Sequence, residues 1–239
     1  MNRVGLDQIY VINVRSFEAR RRHIVAQLER FGLQGELIHE WDASDLTPDT
    51  DRRYFPSGAL SPGQKSCAMK HVEALRRIVE RGQAAALVLE DDVVLACDFA
   101  EGVRAALEEA AQYPAERVVF IGSGGNFYTP RSRRRPGQRL YPSTRGRFAD
   151  SYVIGKEAAR RRLERIEASG ISRPIDNEFQ HIDLELGIQM LWLEEPVVEQ
   201  GSKSGLFPTA LVRQPPPFVQ RLRFAWEKLR RKYLYQLWR

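Results

Sequence analysis

Residues 87–95 read Leu-Val-Leu-Glu-Asp-Asp-Val-Val-Leu, three adjacent carboxylates with apolar residues on both sides. An apolar run of this length reads as a buried strand, and buried carboxylates are costly unless paired or bound to metal. Setting Glu90, Asp91 and Asp92 at the strand's carboxyl end, in a crevice, lets a divalent cation neutralise them. In open α/β sheets that edge is where ligands bind. Oxygen-only ligands suit Mg²⁺ or Mn²⁺, which keep water and share their remaining positions with a substrate diphosphate. The triplet could instead simply begin a surface loop, and residue types alone leave both readings open.

Other residues with chemical potential are weaker signals. Arg20 and Arg21 follow the first expected strand, where an arginine can hold a diphosphate bidentately, although most of the 20–22 run reads as a solvated helix face. Gly122-Ser123-Gly124-Gly125 follows a strand but lacks the spacing of a nucleotide fingerprint, so it reads as a turn. His71 sits beside the apolar face of a helix, the usual place of a packed or capping histidine. His181 has no metal-ligand partner at suitable spacing. Cys67 and Cys97 are the two cysteines, fit a reducing compartment and show no metal-ligand spacing.

The elements that must position these residues alternate. A strand is expected over 9–14, a helix through Phe17, Ile24, Leu28 and Phe31 ending at Gly32, and a short strand over 36–41 leading into Asp42. Residues 44–58 read as a loop. Ser61-Pro62-Gly63-Gln64 is a strong helix start, with serine as cap, proline at the first helical position and glutamine completing a capping box. Ala68, Val72, Leu75 and Val79 continue that helix to Gly82. Asp98 and Glu101 suggest a second capping box, ahead of a helix through Phe99, Val103, Ala106 and Ala110. Strands over 118–121, 151–154 and 188–193, the last of them final, and helices over 156–168 and 177–186 complete the set. The alternation predicts an α/β fold with a mainly parallel central sheet flanked by helices. No internal repeat is present.

The chain's 239 residues suit one large domain or one domain with an appendage, and the net charge of +6 is unevenly placed. Residues 216–239 hold seven basic residues and one acid, and without them 30 basic and 30 acidic residues remain. Residues 131–147 hold seven arginines and no acid. These are two local anion-seeking surfaces. On a helix, Phe218, Leu222, Ala225, Trp226, Leu229, Tyr233 and Leu237 line one face amid the basic residues, the pattern of a helix lying on an anionic membrane surface or packed on protein. With no signal peptide or spanning segment read from the sequence, a cytoplasmic location is expected, with peripheral attachment to the inner face of the membrane through that tail.

The order of motifs carries more than any one of them. Ile12-Asn13-Val14 with Arg20-Arg21, then Ser61-Pro62-Gly63 with Cys67 and His71, then Leu89-Glu90-Asp91-Asp92 resembles glycosyltransferase family 25, the lipopolysaccharide and collagen β-galactosyltransferase family. Ser151-Tyr152-Val153-Ile154, Pro174-Ile175-Asp176 and Pro196-Val197-Val198 with Gln200 resemble its later segments. Gln64, Lys65, Ser66 and Lys70 depart from its usual pattern.

The resemblance implies a GT-A-like domain over 1–214, with a donor half at about 1–125, an acceptor half at about 126–214 and the basic helix over 215–239. It implies inverting transfer of a sugar, galactose from UDP-galactose by the family's majority, to a saccharide acceptor that is anionic or lipid-linked, such as lipopolysaccharide core. Glu90 and Asp92 would ligate Mn²⁺ or Mg²⁺, with Asp91 pointing away or supporting them. Asn13, Arg20, Asp42, Ser61 and His71 would line the donor nucleotide-sugar site. Asp176 is the candidate general base, with a helix N-cap as its other reading, and Asp183 is the reserve. A divalent-metal nucleotidyltransferase or phosphotransferase would use the same acidic strand. A nucleic-acid-binding protein would leave that strand unexplained, so no nucleic-acid partner is expected.

Overall fold

The computed structural model describes residues 2–201 together with Ala225, Trp226, Leu229, Arg230 and Tyr233. In chain order the elements are β1 (Gln8–Ile12), α1 (Glu18–Glu29), β2 (Glu36–Ile38), α2 (Pro48–Tyr54), α3 (Pro62–Glu80), β3 (Ala86–Glu90), β4 (Val93–Leu95) and α4 (Phe99–Ala110). They continue with β5 (Arg117–Phe120), β6 (Leu140–Ser143), β7 (Ser151–Ile154), α5 (Lys156–Ser169), α6 (Ile175–Leu186), β8 (Gln189–Leu193) and β9 (Val198–Gln200). Seven strands form one sheet in the order β2-β1-β3-β7-β5-β8-β6, and β4 pairs with β9 in a small second sheet. Five strands of the large sheet run one way, while β7 and β6 oppose them.

Alternation along each strand divides the core. Tyr10, Ile12, Val88, Tyr152, Phe120 and Met190 face the side covered by α3, α5 and α6. Ile9, Val11, Leu87, Leu89, Val153 and Leu191 face α1 and α4. With both faces covered, the loops at the carboxyl ends of β1, β2, β3, β5 and β8 are left to form a site.

Several local readings need correction. The acidic run is not one strand: β3 stops at Glu90, Asp91 and Asp92 make a turn, and β4 leaves to pair with β9. Three like charges in succession are relieved by turning out of the sheet. Residues 44–58 contain helix α2, because Thr47 caps it by accepting from the Thr50 amide at 3.2 Å and Pro48 opens it. At α4, Asp98 occupies the cap position but its side chain makes no capping hydrogen bond. The arginine stretch contains β6, and among the described residues β9 rather than β8 is the last strand. The Ser61 capping box on α3 forms as expected, the Gln64 side chain accepting from the Ser61 amide at 2.9 Å. Apart from the five positions named above, the basic tail lies outside the described residues.

Candidate functional site

β1 delivers Asn13, β2 leads into Asp42, and β3 ends on Glu90, all at one edge of the sheet. The start of the opposing strand β7 falls at the same edge, where the Asp150 carbonyl accepts from the Glu90 amide at 2.9 Å. Glu90, Asp91 and Asp92 therefore sit where the parallel strands open.

Each carboxylate is held differently. Asp91 accepts from the Asn13 side-chain amide at 2.7 Å and from Arg20 at 3.3 Å. Burial raises its pKa while these two partners pull it down. Asp92 is 3% exposed, its Oδ2 lies 3.9 Å from Arg20, and its Oδ1 is buried without a hydrogen-bond partner. Glu90 is the member open to solvent, with 24% of its side chain exposed. Burial, then the charges of Asp92, Asp91 and Asp176, push its pKa up to about 8. Three clustered carboxylates facing a single arginine, with one oxygen orphaned, are a poor structural device. Its all-oxygen donor set is what a hard divalent cation requires, so the residues present fit Mn²⁺ or Mg²⁺.

The expected donor-site residues are placed unequally. Asn13 and Arg20 both reach the acidic turn through Asp91, so Arg20 faces carboxylates here, its guanidinium also 5.0 Å from the Phe17 ring. Asp42 accepts from Arg15 at 2.9 Å and pairs at 2.8 Å with Lys70, which is 1% exposed. Lys70 also donates to the Glu40 carbonyl at 2.7 Å, fixing the bend after β2 in which Trp41 adopts a φ of 68°. Ser61 is exposed, and its hydroxyl accepts from the Gln64 amide at 3.4 Å to close the cap of α3. His71 is buried as a packed side chain, and burial beside Arg162 lowers its pKa to about 3, keeping the ring neutral. Cys67, whose spacing suggested no ligand role, stands one helical turn before His71 and 3.7 Å from Glu90.

Asp176 lies in the first turn of α6, half-buried, and its charge reaches Glu90, Cys67 and His71. The cap position belongs to Pro174, which removes the N-cap reading of Asp176. Asp183 faces elsewhere. It and Arg162 are both fully buried and joined by two hydrogen bonds of 2.8 and 2.6 Å. A carboxylate so enclosed has no path to an acceptor hydroxyl, and the reserve-base role is withdrawn.

The arginine stretch divides in two. Arg147 is buried and donates to the carbonyls of Gly122, Leu193 and Phe127, tying together the ends of β5 and β8. Arg134 pairs with Glu194 and donates to the Thr129 carbonyl. Arg131, Arg133, Arg135, Arg139 and Arg145 remain exposed. The glycine run serves close packing. A Cβ at Gly122 would fall 2.2 Å from the Ser151 hydroxyl, and one at Gly124 would fall 2.5 Å from the Phe148 amide. The signal for Arg147 and Lys70 was faint: Lys70 is a lone charge on an apolar helix face, Arg147 is one arginine of seven in its stretch, and the partners of both are distant in sequence.

This sheet edge and its acidic turn coincide with a family match. Residues 6–177 match Glycosyltransferase family 25 (LPS biosynthesis protein), and the chain belongs to that family. Among similar proteins are a human one named inactive glycosyltransferase 25 family member 3, 26% identical over 133 residues, and an Aedes aegypti glycosyltransferase 25 family member, 24% identical over 132. An Anopheles gambiae glycosyltransferase 25 family member is 24% identical over 132 residues. Each match covers 51% of this chain and 22% of the relative. The human relative bears the word inactive in its name, so family membership alone does not decide activity and the site residues must. Among the described residues no helix is long and apolar enough to cross a membrane.

Proposed function

We propose that the chain transfers a sugar from a nucleotide-sugar to a saccharide hydroxyl, with inversion, using a divalent cation held at the acidic turn. One observation supports this above all: the buried, unpartnered Asp92 Oδ1 beside Glu90, in a cluster of carboxylates at the carboxyl edge of the sheet. Glu90 and Asp92 would hold Mn²⁺ or Mg²⁺, which when bound supplies Lewis-acid stabilisation of the departing diphosphate. Asn13 and Arg20 fix Asp91 and so the path of the turn. Lys70 and Arg15 hold Asp42 four residues past β2 and so fix the loop that would border the nucleotide. UDP-galactose is the donor inferred from the family, and lipopolysaccharide core or a similar surface glycan the acceptor.

Asp176 is the proposed proton acceptor for the attacking hydroxyl. It is half-buried at the start of α6, a different element from the metal ligands, and its charge acts on Glu90, which supports that role. Asp176→Asn should lower kcat on the order of 10²–10⁴-fold and leave the Mn²⁺-dependent affinity for UDP-sugar unchanged, as read by initial rates and calorimetry. Retention of wild-type kcat would give the base to another group. Mn²⁺-dependent release of UDP from UDP-galactose, with and without saccharide acceptor, tests the reading as a whole. Nucleotidyl transfer in its place would assign the acidic turn to the rival chemistry.

The exposed arginines are proposed to meet an anionic acceptor. Arg133→Ala with Arg135→Ala should raise the acceptor KM several-fold and leave donor KM alone. Unchanged acceptor kinetics would make them a solvated surface. Arg134 and Arg147 are excluded from this test because their contacts are internal.

A further inference from the structure

Behind the acidic turn lie two ligand-type side chains, Cys67 and His71, that oxygen-only chemistry does not use, and both approach Glu90. Cys67 and His71 are four residues apart on α3 and therefore share a face. Cys67 Sγ and His71 Nε2 each lie 3.7 Å from Glu90 Oε1, and all three atoms fall within 4.8 Å of one another. A tetrahedral zinc with bonds of about 2.0–2.3 Å needs ligand atoms roughly 3.3–3.7 Å apart. The pairs with Glu90 are at or near that spacing before any metal is added.

The histidine supplies an independent pointer. His71 is fully buried, and its Nδ1 lies 3.1 Å from the Tyr152 hydroxyl. With the proton on Nδ1 donated to that hydroxyl, Nε2 carries the lone pair, and Nε2 is buried with no hydrogen-bond partner. An imidazole oriented through one nitrogen, with the other bare and aimed at a thiol and a carboxylate, is how metal-ligating histidines are held.

We propose that Cys67 Sγ, His71 Nε2 and Glu90 Oε1 form a site for a thiophilic divalent metal of the Zn²⁺ class, distinct from the oxygen-ligated cation at Asp92. Thiolate and imidazole select Zn²⁺ over Mn²⁺ or Mg²⁺. Three protein ligands leave a fourth position open, and Cys67 and Glu90, both half-buried where His71 is fully buried, mark the side from which the metal enters. Binding deprotonates the Cys67 thiol, with the proton released to solvent, and draws Glu90 toward α3. Zinc therefore competes with the oxygen-ligated cation for Glu90 and inhibits transfer. The competition rests on the proposed function; the metal site itself does not.

Cobalt substitution tests the site directly. The full chain titrated with Co²⁺ should develop a near-ultraviolet sulfur-to-cobalt charge-transfer band that saturates at one equivalent. Cys67→Ser and Cys67→Ala should lose the band while keeping the wild-type circular dichroism, and Cys97→Ser should keep it. Glu90→Gln should weaken Co²⁺ binding while keeping the band at saturation, because the band reports the thiolate. Asp92→Asn should keep the band at full affinity even where Mn²⁺-dependent donor binding is lost, separating this site from the transferase reading. No band in the wild type, or a band that survives Cys67→Ala and disappears with Cys97→Ser, overturns the proposal.

Discussion

Asp92→Asn is expected to lower sugar transfer by roughly 10²–10⁴-fold, the several kcal/mol that Lewis-acid stabilisation supplies, and to leave the fold intact. The fold survives because Asp92 contributes little to it through its side chain. Its carbonyl accepts from the Gly201 amide at 2.7 Å whatever the side chain is, and Oδ1 has no hydrogen bond to lose. An amide is isosteric but neutral, so the anionic ligand is lost while packing is kept. The ligand-induced rise in melting temperature given by Mn²⁺ with UDP-sugar should vanish too, a loss of about 2.7 kcal/mol at one hundred times the dissociation constant. Wild-type turnover by Asp92→Asn after chelator treatment would falsify metal dependence.

The parts of the molecule readable from sequence are those with local signals. The α3 cap, the buried β3 run and the Asp98-to-Ala110 helix announce themselves by composition over a few residues. The break between β3 and β4 did not, since Val93–Leu95 is as apolar as what precedes it and turns away only because β9, about a hundred residues on, offers an edge. Strand β6 was hidden likewise: Leu-Tyr-Pro-Ser within an arginine stretch pairs only because β8 lies beside it. In the site, the acidic triplet was legible because three carboxylates in an apolar run have few explanations. Lys70, Arg147 and Cys67 were not, because their partners Asp42, the β5 and β8 carbonyls, and Glu90 lie 23 or more residues away in the chain. Asp183 was misread for the same reason, since nothing near it in sequence announces Arg162.

Breaking that last pair should be the most destabilising single change considered for this protein. Arg162 and Asp183 are both fully buried, and the guanidinium also lies 4.1 Å from the Phe179 ring, so neither charge can turn to water. Removing one partner leaves the other charged and enclosed, at a cost of about 3–5 kcal/mol. For a chain of this size, with roughly 2–4 °C per kcal/mol, Asp183→Ala should lower the melting temperature by roughly 6–20 °C and shift the urea midpoint in proportion. Arg162→Met with Asp183→Leu removes both charges at once and should recover most of the loss, because no ion is then stranded in the core. The pair of measurements also settles chemistry. If Asp183 only holds α5 against α6, the double variant folds and transfers sugar at close to the wild-type rate below its melting point. A folded double variant with normal donor binding but kcat reduced a hundred-fold or more would return Asp183 to the reaction and displace Asp176 as base. The geometry favours the first outcome, since Asp183 is fully buried and both its oxygens are taken by Arg162.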